Sequence, residues 1–413
     1  MSGPRLETRL LLQAGRLLLQ YSESTGAIHR ALTATASALS DETCHVLVSY
    51  RGVAVSLAGE GLTMEPVREL GYNMAVQARV HEILEQVRGR NLDASAALAC
   101  LSGIEAETPR HSRWLVCLVL GGAAASLAAL LGADLGAAIV AGVATALGLL
   151  ARQELGRRHF GLLVLPLTAA LIGALLGGLA IRAGWTKTPQ LVLVVPALML
   201  VPGPHLINSL FDLIENYLPM ALARLGLAIG ILMASAAGIV LGVELTLPDF
   251  GATDQSRSSD DLNLFSDMLL AGIATCGFGM FYNTAWRQLG LATVGGMAGH
   301  GLRFLTHEAG CRLEAATFLG GLVVGLVSAW IARSQKVPVA VIAFAGAVTM
   351  IPGLQIYRAL GGAVQLARQQ DIADPGMLAG TLGCAFQACL IVSALALGLV
   401  LGARAASWGR LYR

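Results

Sequence analysis

Three polar side chains follow a Pro-Gly pair inside an apolar stretch of the sequence. Pro202 and Gly203 interrupt the stretch, and His205, Asn208 and Asp212 come after them at spacings of three and four residues, which places them on one helix face. Proline removes a backbone hydrogen bond, and the half-helix beyond it directs free N–H groups and a positive dipole end toward a ligand. This pattern predicts a carboxylate-binding site. Asp212 would face an ammonium group or carry a proton.

A second Pro-Gly pair lies 150 positions further along the chain. Pro352 and Gly353 interrupt another apolar span, and Gln355 and Arg358 follow where the first copy has its histidine and asparagine. No acid matches Asp212, so the two polar faces differ chemically. About five hydrophobic spans separate the breaks, and an odd number inverts the second copy in the membrane. Interrupted helices in inverted repeats indicate a transporter's midplane site, here one asymmetric site built from both breaks.

Further ionisable residues inside apolar spans are candidates for an ion pair or for coupling. Arg224 is a candidate partner of Asp212, or else an interfacial anchor. Asp267 and His300 are candidates because ionisable groups at such depth are costly and usually functional. A titrating His300 would relay protons, whereas a histidine satisfied by a carbonyl is the alternative. A functional role for Asp212 also has an alternative. The fourth span would end before this residue, and its carboxylate would lie in the cytoplasmic interface of the membrane.

These residues require a membrane framework. The chain has 413 residues, 55% of them hydrophobic and 13% charged, with a mean hydropathy of +0.67. A span needs about 20 apolar residues. We predict a polytopic α-helical membrane protein with ten transmembrane helices as two inverted five-helix repeats. The predicted spans lie at about 114–132, 135–151, 160–181, 190–211, 220–244, 264–282, 288–305, 314–332, 338–358 and 377–403.

The chain divides into four predicted parts. Residues 1–112 form a small N-terminal α+β cytoplasmic domain, with apolar spacing typical of helices and two short β-branched runs joined as a hairpin. Residues 113–246 form the first five-span repeat, 247–262 a polar external linker, and 263–413 the second repeat. Arginines in alternate loops favour cytoplasmic N- and C-termini.

Composition and motifs exclude several functions. A net charge of +2 argues against a nucleic-acid partner. The helix around His81 has the start of a zinc-protease motif without its second histidine, and no phosphate-binding loop occurs. We therefore expect no catalytic residues, no metal and no cofactor. Energy for transport would come from an ion gradient or from the substrate's own gradient.

The first break carries a family resemblance. Pro202, Gly203, Asn208, Asp212 and Arg224 fit, position by position, a pattern that resembles the threonine/serine exporter family. That family joins a soluble N-terminal segment to two five-span halves, which some bacteria make as separate proteins. The resemblance implies export of threonine, serine or a similar small metabolite. Members of the split form look suited to dicarboxylates as well.

The sequence therefore supports a secondary transporter of the bacterial inner (cytoplasmic) membrane. It would export small carboxylate-bearing solutes, threonine and serine first, driven by the proton gradient. A dicarboxylate (succinate-like) exporter, an uncoupled solute channel and a membrane-embedded enzyme are the alternatives. Expected partners are the solute, protons, the lipid bilayer and, through glycine-rich spans, a second copy of the chain.

Overall fold

The structure is a computed structural model. It describes residues 4–57, 61–67, 70–108, 110–247, 262–368 and 374–408. Nearly all of the predicted external linker, residues 248–261, lies outside the described residues.

The N-terminal region combines helices with a small antiparallel sheet. It contains helices and a hairpin, as the sequence predicts, and Asp93 caps the last helix by accepting a hydrogen bond from the N–H of Ala96. A third strand was not predicted, because it is only 4 residues long. The elements are α1 Leu6–Gln20, α2 Thr25–Leu39, β1 Cys44–Ser49, β2 Gly52–Leu57, β3 Thr63–Pro66, α3 Met74–Arg88 and α4 Ala94–Ala106.

The sheet has the order β1-β2-β3, and helix α1 packs against it. Val46 of β1 lies opposite Val55 of β2. At Gly15 of α1 an added Cβ would lie 2.8 Å from Leu32 Cδ1 and 3.0 Å from Val53 Cγ1, so this glycine lets α1 approach α2 and β2 closely. All leucines of α1 except Leu6, which is 39% exposed, are buried.

Long apolar helices make up the remainder of the described chain. Seven are long and apolar enough to cross a membrane. They are α5 Arg113–Leu130, α6 Leu135–Arg157, α7 Val164–Arg182, α10 Leu218–Thr246, α11 Leu264–Phe281, α13 Leu313–Gln335 and α16 Pro375–Trp408.

Two further candidate spans of the described chain are broken helices. Helix α8 (Pro189–Leu198) meets α9 (Gly203–Ile214) at 60°, and α14 (Val339–Ala347), with a 3₁₀ turn at Val348–Met350, meets α15 (Gly353–Arg368) at 55°. Counting each bent pair once gives at most nine candidate spans in the described residues.

The predicted seventh span is the one that falls short of a membrane helix in composition. Helix α12 (Trp286–Glu308) has 23 residues, but it is not among the candidate spans of the described chain. It carries His300, Arg303 and His307, which lower its apolar character. The count of ten spans therefore stays a prediction.

Apolar side chains cover the outside of the helices. Leu118 is 72% exposed, Ile139 55%, Ile229 51% and Phe386 68%, on four different helices. Such extensive exposed apolar surface marks contact with a membrane or a partner rather than with water.

Glycines bring two helix pairs into close contact. Gly238 and Gly242 of α10 face the backbone of α7, and Gly398 and Gly402 of α16 face the backbone of α13 in the same way. Each pair has the four-residue spacing of small residues that lets membrane helices pack tightly.

Candidate functional site

Each Pro-Gly pair lies at the bend of a broken helix, and the two bends are built alike. Helices α9 and α15 both begin at the glycine. The N–H of Gly203 donates to the carbonyl of Val201 at 2.8 Å, and the N–H of Gly353 donates to the carbonyl of Ile351 at 2.8 Å.

The two breaks also pack against each other reciprocally. A Cβ on Gly203 would lie 2.5 Å from Ile351 Cδ1. A Cβ on Gly353 would lie 2.9 Å from Leu198 Cδ2 and 3.6 Å from Val201 Cγ2, and Val201 occupies the position in the first copy that Ile351 occupies in the second. The breaks therefore meet where only glycine leaves room.

One cavity, which we call the far cavity, lies on the side of the breaks away from the N-terminal region. It has a volume of about 370 Å³. It extends from Leu131, at the C-terminal end of α5, and Leu313, at the start of α13, to Pro352 at the second break. Its polar lining consists of Asp267, His300, Arg303, His307, Thr349, Gln355 and Arg358.

Three polar residues of the far cavity, Asp267, His300 and Arg303, are connected to one another through the ring of His300. His300 Nδ1 lies 2.7 Å from Asp267 Oδ2, and Arg303 Nη1 lies 3.3 Å from His300 Nε2. A guanidinium can only donate, so Nε2 accepts from Arg303 and Nδ1–H donates to the carboxylate, with His300 neutral. This assignment of the tautomer follows from the hydrogen-bond pattern.

Two donors of the far cavity have no partner within the described chain. Arg303 Nε and Thr349 Oγ1 are both buried without a hydrogen bond there. A carboxylate accepts hydrogen bonds from both kinds of group, and a charged pair with arginine is the stronger. The far cavity is therefore suited to a carboxylate-bearing solute.

The polar face of the first break lies on the opposite side, beneath a turn of the N-terminal region. Asn208 Nδ2 donates to the carbonyl of Ser22 at 2.6 Å, and the N–H of Thr25 donates to Asp212 Oδ1 at 2.9 Å. Arg224 Nε lies 3.1 Å from Asp212 Oδ2, with the two side chains 3% and 0% exposed. In this conformation Asp212 and Asn208 hold the turn at Ser22–Thr25.

Further charged contacts surround this turn. Arg224 Nη2 donates to the carbonyl of Glu23 at 2.5 Å, and His81 Nε2 lies 3.3 Å from Glu23 Oε2. Arg30 Nη1 lies 2.9 Å from Glu215 Oε1 at the end of α9. The N-terminal region is thus attached to α9 and α10 by both main-chain and charged groups.

His205 faces the N-terminal region as well. The centroids of the His205 and Tyr72 rings lie 5.3 Å apart. The Nδ1 atom of His205 has no hydrogen bond within the described chain. Burial raises the pKa of Tyr72 above its ordinary value, so the phenol stays neutral.

The start of α5 is held at the turn between α11 and α12. There the N–H of His111 donates a hydrogen bond to Asn283 Oδ1 at 3.0 Å.

A second cavity, which we call the near cavity, opens beside the Ser22–Thr25 turn. It has a volume of about 530 Å³ and lies between α2, α3, α9, α14 and α16. Its charged and polar lining consists of Glu23, Ser24, Arg30, His81, Glu85, Arg88, Asn208, Glu215 and Arg404.

The sequence-predicted residues therefore fall into two groups rather than one constellation. The first group lines the far cavity: Asp267, His300, Pro352, Gly353 and Arg358. The second group is buried on the N-terminal side of the first break: His205, Asn208, Asp212 and Arg224. Pro202 and Gly203 lie at the break between the two groups.

Sequence reasoning missed some residues of both cavities. Arg303 stands three residues after His300, and this spacing, which places it one helical turn further along the same face, was the available signal. Thr349 carried no signal, because a lone threonine in an apolar run is ordinary. The contacts of Ser22 and Thr25 with α9 cross more than 180 positions of sequence and follow no local pattern.

Comparison with known families identifies the kind of protein. The family described as "Putative threonine/serine exporter" matches residues 9–246, and the family described as "Threonine/Serine exporter, ThrE" matches residues 267–404. The chain belongs to the threonine/serine exporter family. Together with its apolar helices, this membership makes it a multi-pass helical membrane protein of a transporter family.

Two curated relatives of this family member come from Escherichia coli and Klebsiella aerogenes. It is 25% identical over 245 residues to the "Probable succinate transporter subunit YjjP" of Escherichia coli (strain K12), covering 58% of this chain and 95% of the relative. It is 25% identical over 248 residues to the protein of the same name in Klebsiella aerogenes, covering 59% and 95%. No solved structure matches the chain.

Proposed function

We propose that this exporter moves small carboxylate-bearing solutes, threonine and serine first, out of the cytoplasm in exchange for protons. The observation that carries the proposal is the far cavity. It ends at two mutually packed helix breaks and offers Arg303 Nε and Thr349 Oγ1 without partners beside the Asp267–His300 pair. Binding groups and a titratable pair thus share one cavity.

The carboxylate would bind at the second break. Helix α15 begins at Gly353, so the positive end of its dipole faces the far cavity, which Pro352 and Gly353 line. Arg303 and Arg358 line the same cavity and supply positive charge. These groups together would replace the water around a carboxylate.

The Asp267–His300 pair would carry the coupled proton. A carboxylate and an imidazole 2.7 Å apart exchange a proton without a large movement. The deprotonated pair carries a negative charge that would attract the solute's ammonium group, and protonation removes that charge. Solute and proton would therefore compete for the far cavity, as exchange requires.

Two inverted five-helix repeats would provide alternating access. Several features support the duplication: similar bends of 60° and 55°, the reciprocal packing of Gly203 and Gly353, and the matching contacts of α10 on α7 and α16 on α13. We propose ten spans, with α12 as the seventh. Its polar residues His300, Arg303 and His307 line the far cavity, so their presence does not argue against a membrane span.

Asp212 and Arg224 would act on the opposite side. In this conformation they hold the Ser22–Thr25 turn against the first break, with Asn208. We propose that these contacts close the cytoplasmic side and separate when that side opens. Asp212 would then become available to the solute's ammonium group or to a proton.

Orientation and assembly complete the proposal. Arginines lie at the helix ends on the same side as the N-terminal region, for example Arg113 of α5, Arg157 of α6 and Arg333 of α13. The positive-inside rule then favours cytoplasmic N- and C-termini in the bacterial inner membrane. We propose residues 1–112 as the cytoplasmic domain, 113–246 and 263–413 as the repeats, and a homo-oligomer as a possible assembly.

A dicarboxylate is the second candidate solute. Two relatives are named as probable succinate transporter subunits, and the far cavity carries Arg303 and Arg358, which suit two carboxylates. Uptake of labelled threonine into inverted vesicles, competed with serine or with succinate, separates the candidates. Competition by serine supports the amino-acid exporter, and competition by succinate alone supports the dicarboxylate exporter.

A further inference from the structure

The near cavity contains two buried oxygen acceptors without a hydrogen-bond donor. Asn208 is 0% exposed, and while its Nδ2 donates to Ser22, its Oδ1 has no hydrogen bond in the described chain. Glu23 is 2% exposed, and while its Oε1 accepts from the N–H of Ser24 at 3.1 Å, its Oε2 has no hydrogen bond there either. Buried acceptors are normally satisfied, so these two indicate a donor that binds between them.

His81 does not satisfy the carboxylate. Its Nε2 lies 3.3 Å from Glu23 Oε2, but the two atoms are not aligned as a hydrogen bond, and Nε2 is itself without one among the described residues. An alkylammonium group fits a carboxylate and an amide oxygen together, because it offers three N–H donors and a positive charge. The acceptors Glu23 and Asn208 therefore favour an amine.

The remainder of the near cavity carries charges of both signs. Arg30 and Arg88 line it, paired with Glu215 at 2.9 Å and with Glu85 at 2.6 Å, and each guanidinium has further N–H donors beyond its pair. The far cavity differs, because Asp267 is its acidic residue among several basic ones. A cavity with buried acceptors at one end and guanidinium groups elsewhere matches a zwitterion rather than a dianion.

We propose that the near cavity binds α-amino acids on the cytoplasmic side. Glu23 Oε2 and Asn208 Oδ1 accept hydrogen bonds from the ammonium group, and the guanidinium groups of Arg30 and Arg88 face the carboxylate. This inference rests on the proposed function and deepens it, because it assigns the selection of amine-bearing solutes to a turn of the N-terminal region. A dicarboxylate would place a second negative charge beside Glu23 and be rejected there.

Equilibrium binding to the purified full-length protein tests this assignment. Bound labelled L-threonine is challenged with one of three unlabelled compounds. These are L-threonine itself, 3-hydroxybutanoate, which lacks the amine, and succinate. We expect 3-hydroxybutanoate and succinate to bind at least about tenfold more weakly than threonine, the loss expected for one charged hydrogen bond. This comparison uses the unaltered protein, so it does not depend on the folding of a variant.

Three variants locate the amine. Glu23→Gln removes the charge and should weaken threonine binding at least about tenfold. Glu82→Gln is the matched control, because Glu82 is an exposed carboxylate of α3 that does not line the near cavity, and it should change binding less than about twofold. Ala27→Phe fills the near cavity from α2 without altering Glu23, and it should lower by one the number of threonine molecules bound per chain, because the far cavity stays open. Unfolding temperatures show that each variant is folded.

Several results would overturn the assignment. They are equal binding of threonine and 3-hydroxybutanoate, unchanged threonine binding in Glu23→Gln or Ala27→Phe, and no detectable threonine binding by the unaltered protein. Transport separates this failure from failure of the proposed function. If vesicles still take up threonine while these variants bind it normally, the near-cavity site is wrong and the exporter stands. If neither amino acids nor dicarboxylates move, the proposed function itself is wrong.

Discussion

His300 Nδ1 lies 2.7 Å from Asp267 Oδ2, with Arg303 in contact with the other ring nitrogen at 3.3 Å. The arginine fixes the tautomer, so the imidazole presents its proton to the carboxylate. Both residues are nearly buried, at 8% and 4% exposure, and both line the far cavity. One proton is thereby held between two titratable groups beside the proposed carboxylate site.

Asp267→Asn should uncouple transport from protons. An asparagine of the same size still accepts the hydrogen bond from His300 but cannot take up a proton. We expect exchange of labelled threonine for unlabelled threonine to continue, while uptake driven by a pH gradient falls at least about a hundredfold, the usual effect of losing a proton-transfer group.

His307→Gln is the matched control for this experiment. His307 lines the same cavity, and its Nδ1 contacts the carbonyl of Cys311 at 3.0 Å rather than a carboxylate. We expect gradient-driven uptake close to that of the unaltered protein. Full gradient-driven uptake by Asp267→Asn would show that the pair carries no coupled proton.

Asp212→Asn should destabilise the protein and stop export while leaving the chain in the membrane. Arg224 would remain buried without its carboxylate, and such uncompensated charges cost about 3–5 kcal/mol. Thermal unfolding in detergent measures the loss of stability, and vesicle uptake measures export. Adding Arg224→Met should recover part of the stability, because the unpaired charge is then gone.

Glu215→Gln provides the comparison for the buried pair. Glu215 contacts Arg30, whose side chain is 65% exposed, and exposed pairs contribute about 0–1 kcal/mol. We expect little change in unfolding temperature. If Asp212→Asn were as stable as Glu215→Gln and exported normally, the Ser22–Thr25 turn would not depend on the ion pair.

Gly203→Ala should disturb the contact between the two breaks. Its Cβ would lie 2.5 Å from Ile351 Cδ1, and overpacking of this kind costs about 1–3 kcal/mol. Ile351→Val removes that methyl group and should restore part of the lost stability and uptake. Gly361→Ala is the control, since an added Cβ meets no atom within 4 Å there. Equal behaviour of the two alanine variants would contradict the reciprocal packing.

Asp134→Ala should loosen the turn that joins α7 to α8. The carboxylate accepts hydrogen bonds from the hydroxyls of Thr186 and Thr188 and the N–H groups of Lys187 and Ala137. Partial burial alone would raise its pKa, but these bonds outweigh burial and hold the pKa well below the ordinary 3.8. Loss of such a cap costs about 1 kcal/mol.

The pH dependence of that variant follows from the lowered pKa of Asp134. The ionised carboxylate contributes stability above pH 3.8, and the contribution is lost as the pH falls below that value toward the folded-state pKa. Unfolding temperatures of the unaltered protein and of Asp134→Ala should therefore differ at pH 7 and converge below pH 3. A constant difference across this range would contradict the role of the charge.

Local patterns in the sequence predicted much of the framework. The Pro-Gly pairs predicted both bends, because proline and glycine interrupt helices through their own backbone chemistry. The two β-branched runs likewise predicted a hairpin, and they form the antiparallel strands β1 and β2. Strand β3 was missed because so short a segment has little periodicity.

The division of the site into two cavities had no local signal. Asp212 and Asn208 share a helix face with the spacing of a binding site, but their partners are main-chain groups of Ser22 and Thr25, far away in sequence. Helical periodicity shows which residues share a face and not what that face contacts. The pairing of Asp267 with His300 likewise depends on how α11 packs on α12.

The most direct test of proton-coupled export is uptake of labelled threonine into inverted vesicles under an imposed pH gradient. We predict saturable uptake that serine competes for, that a protonophore abolishes, and that Asp267→Asn does not show. Uptake that rises linearly with threonine concentration and is indifferent to the protonophore would contradict proton-coupled export and indicate an uncoupled channel.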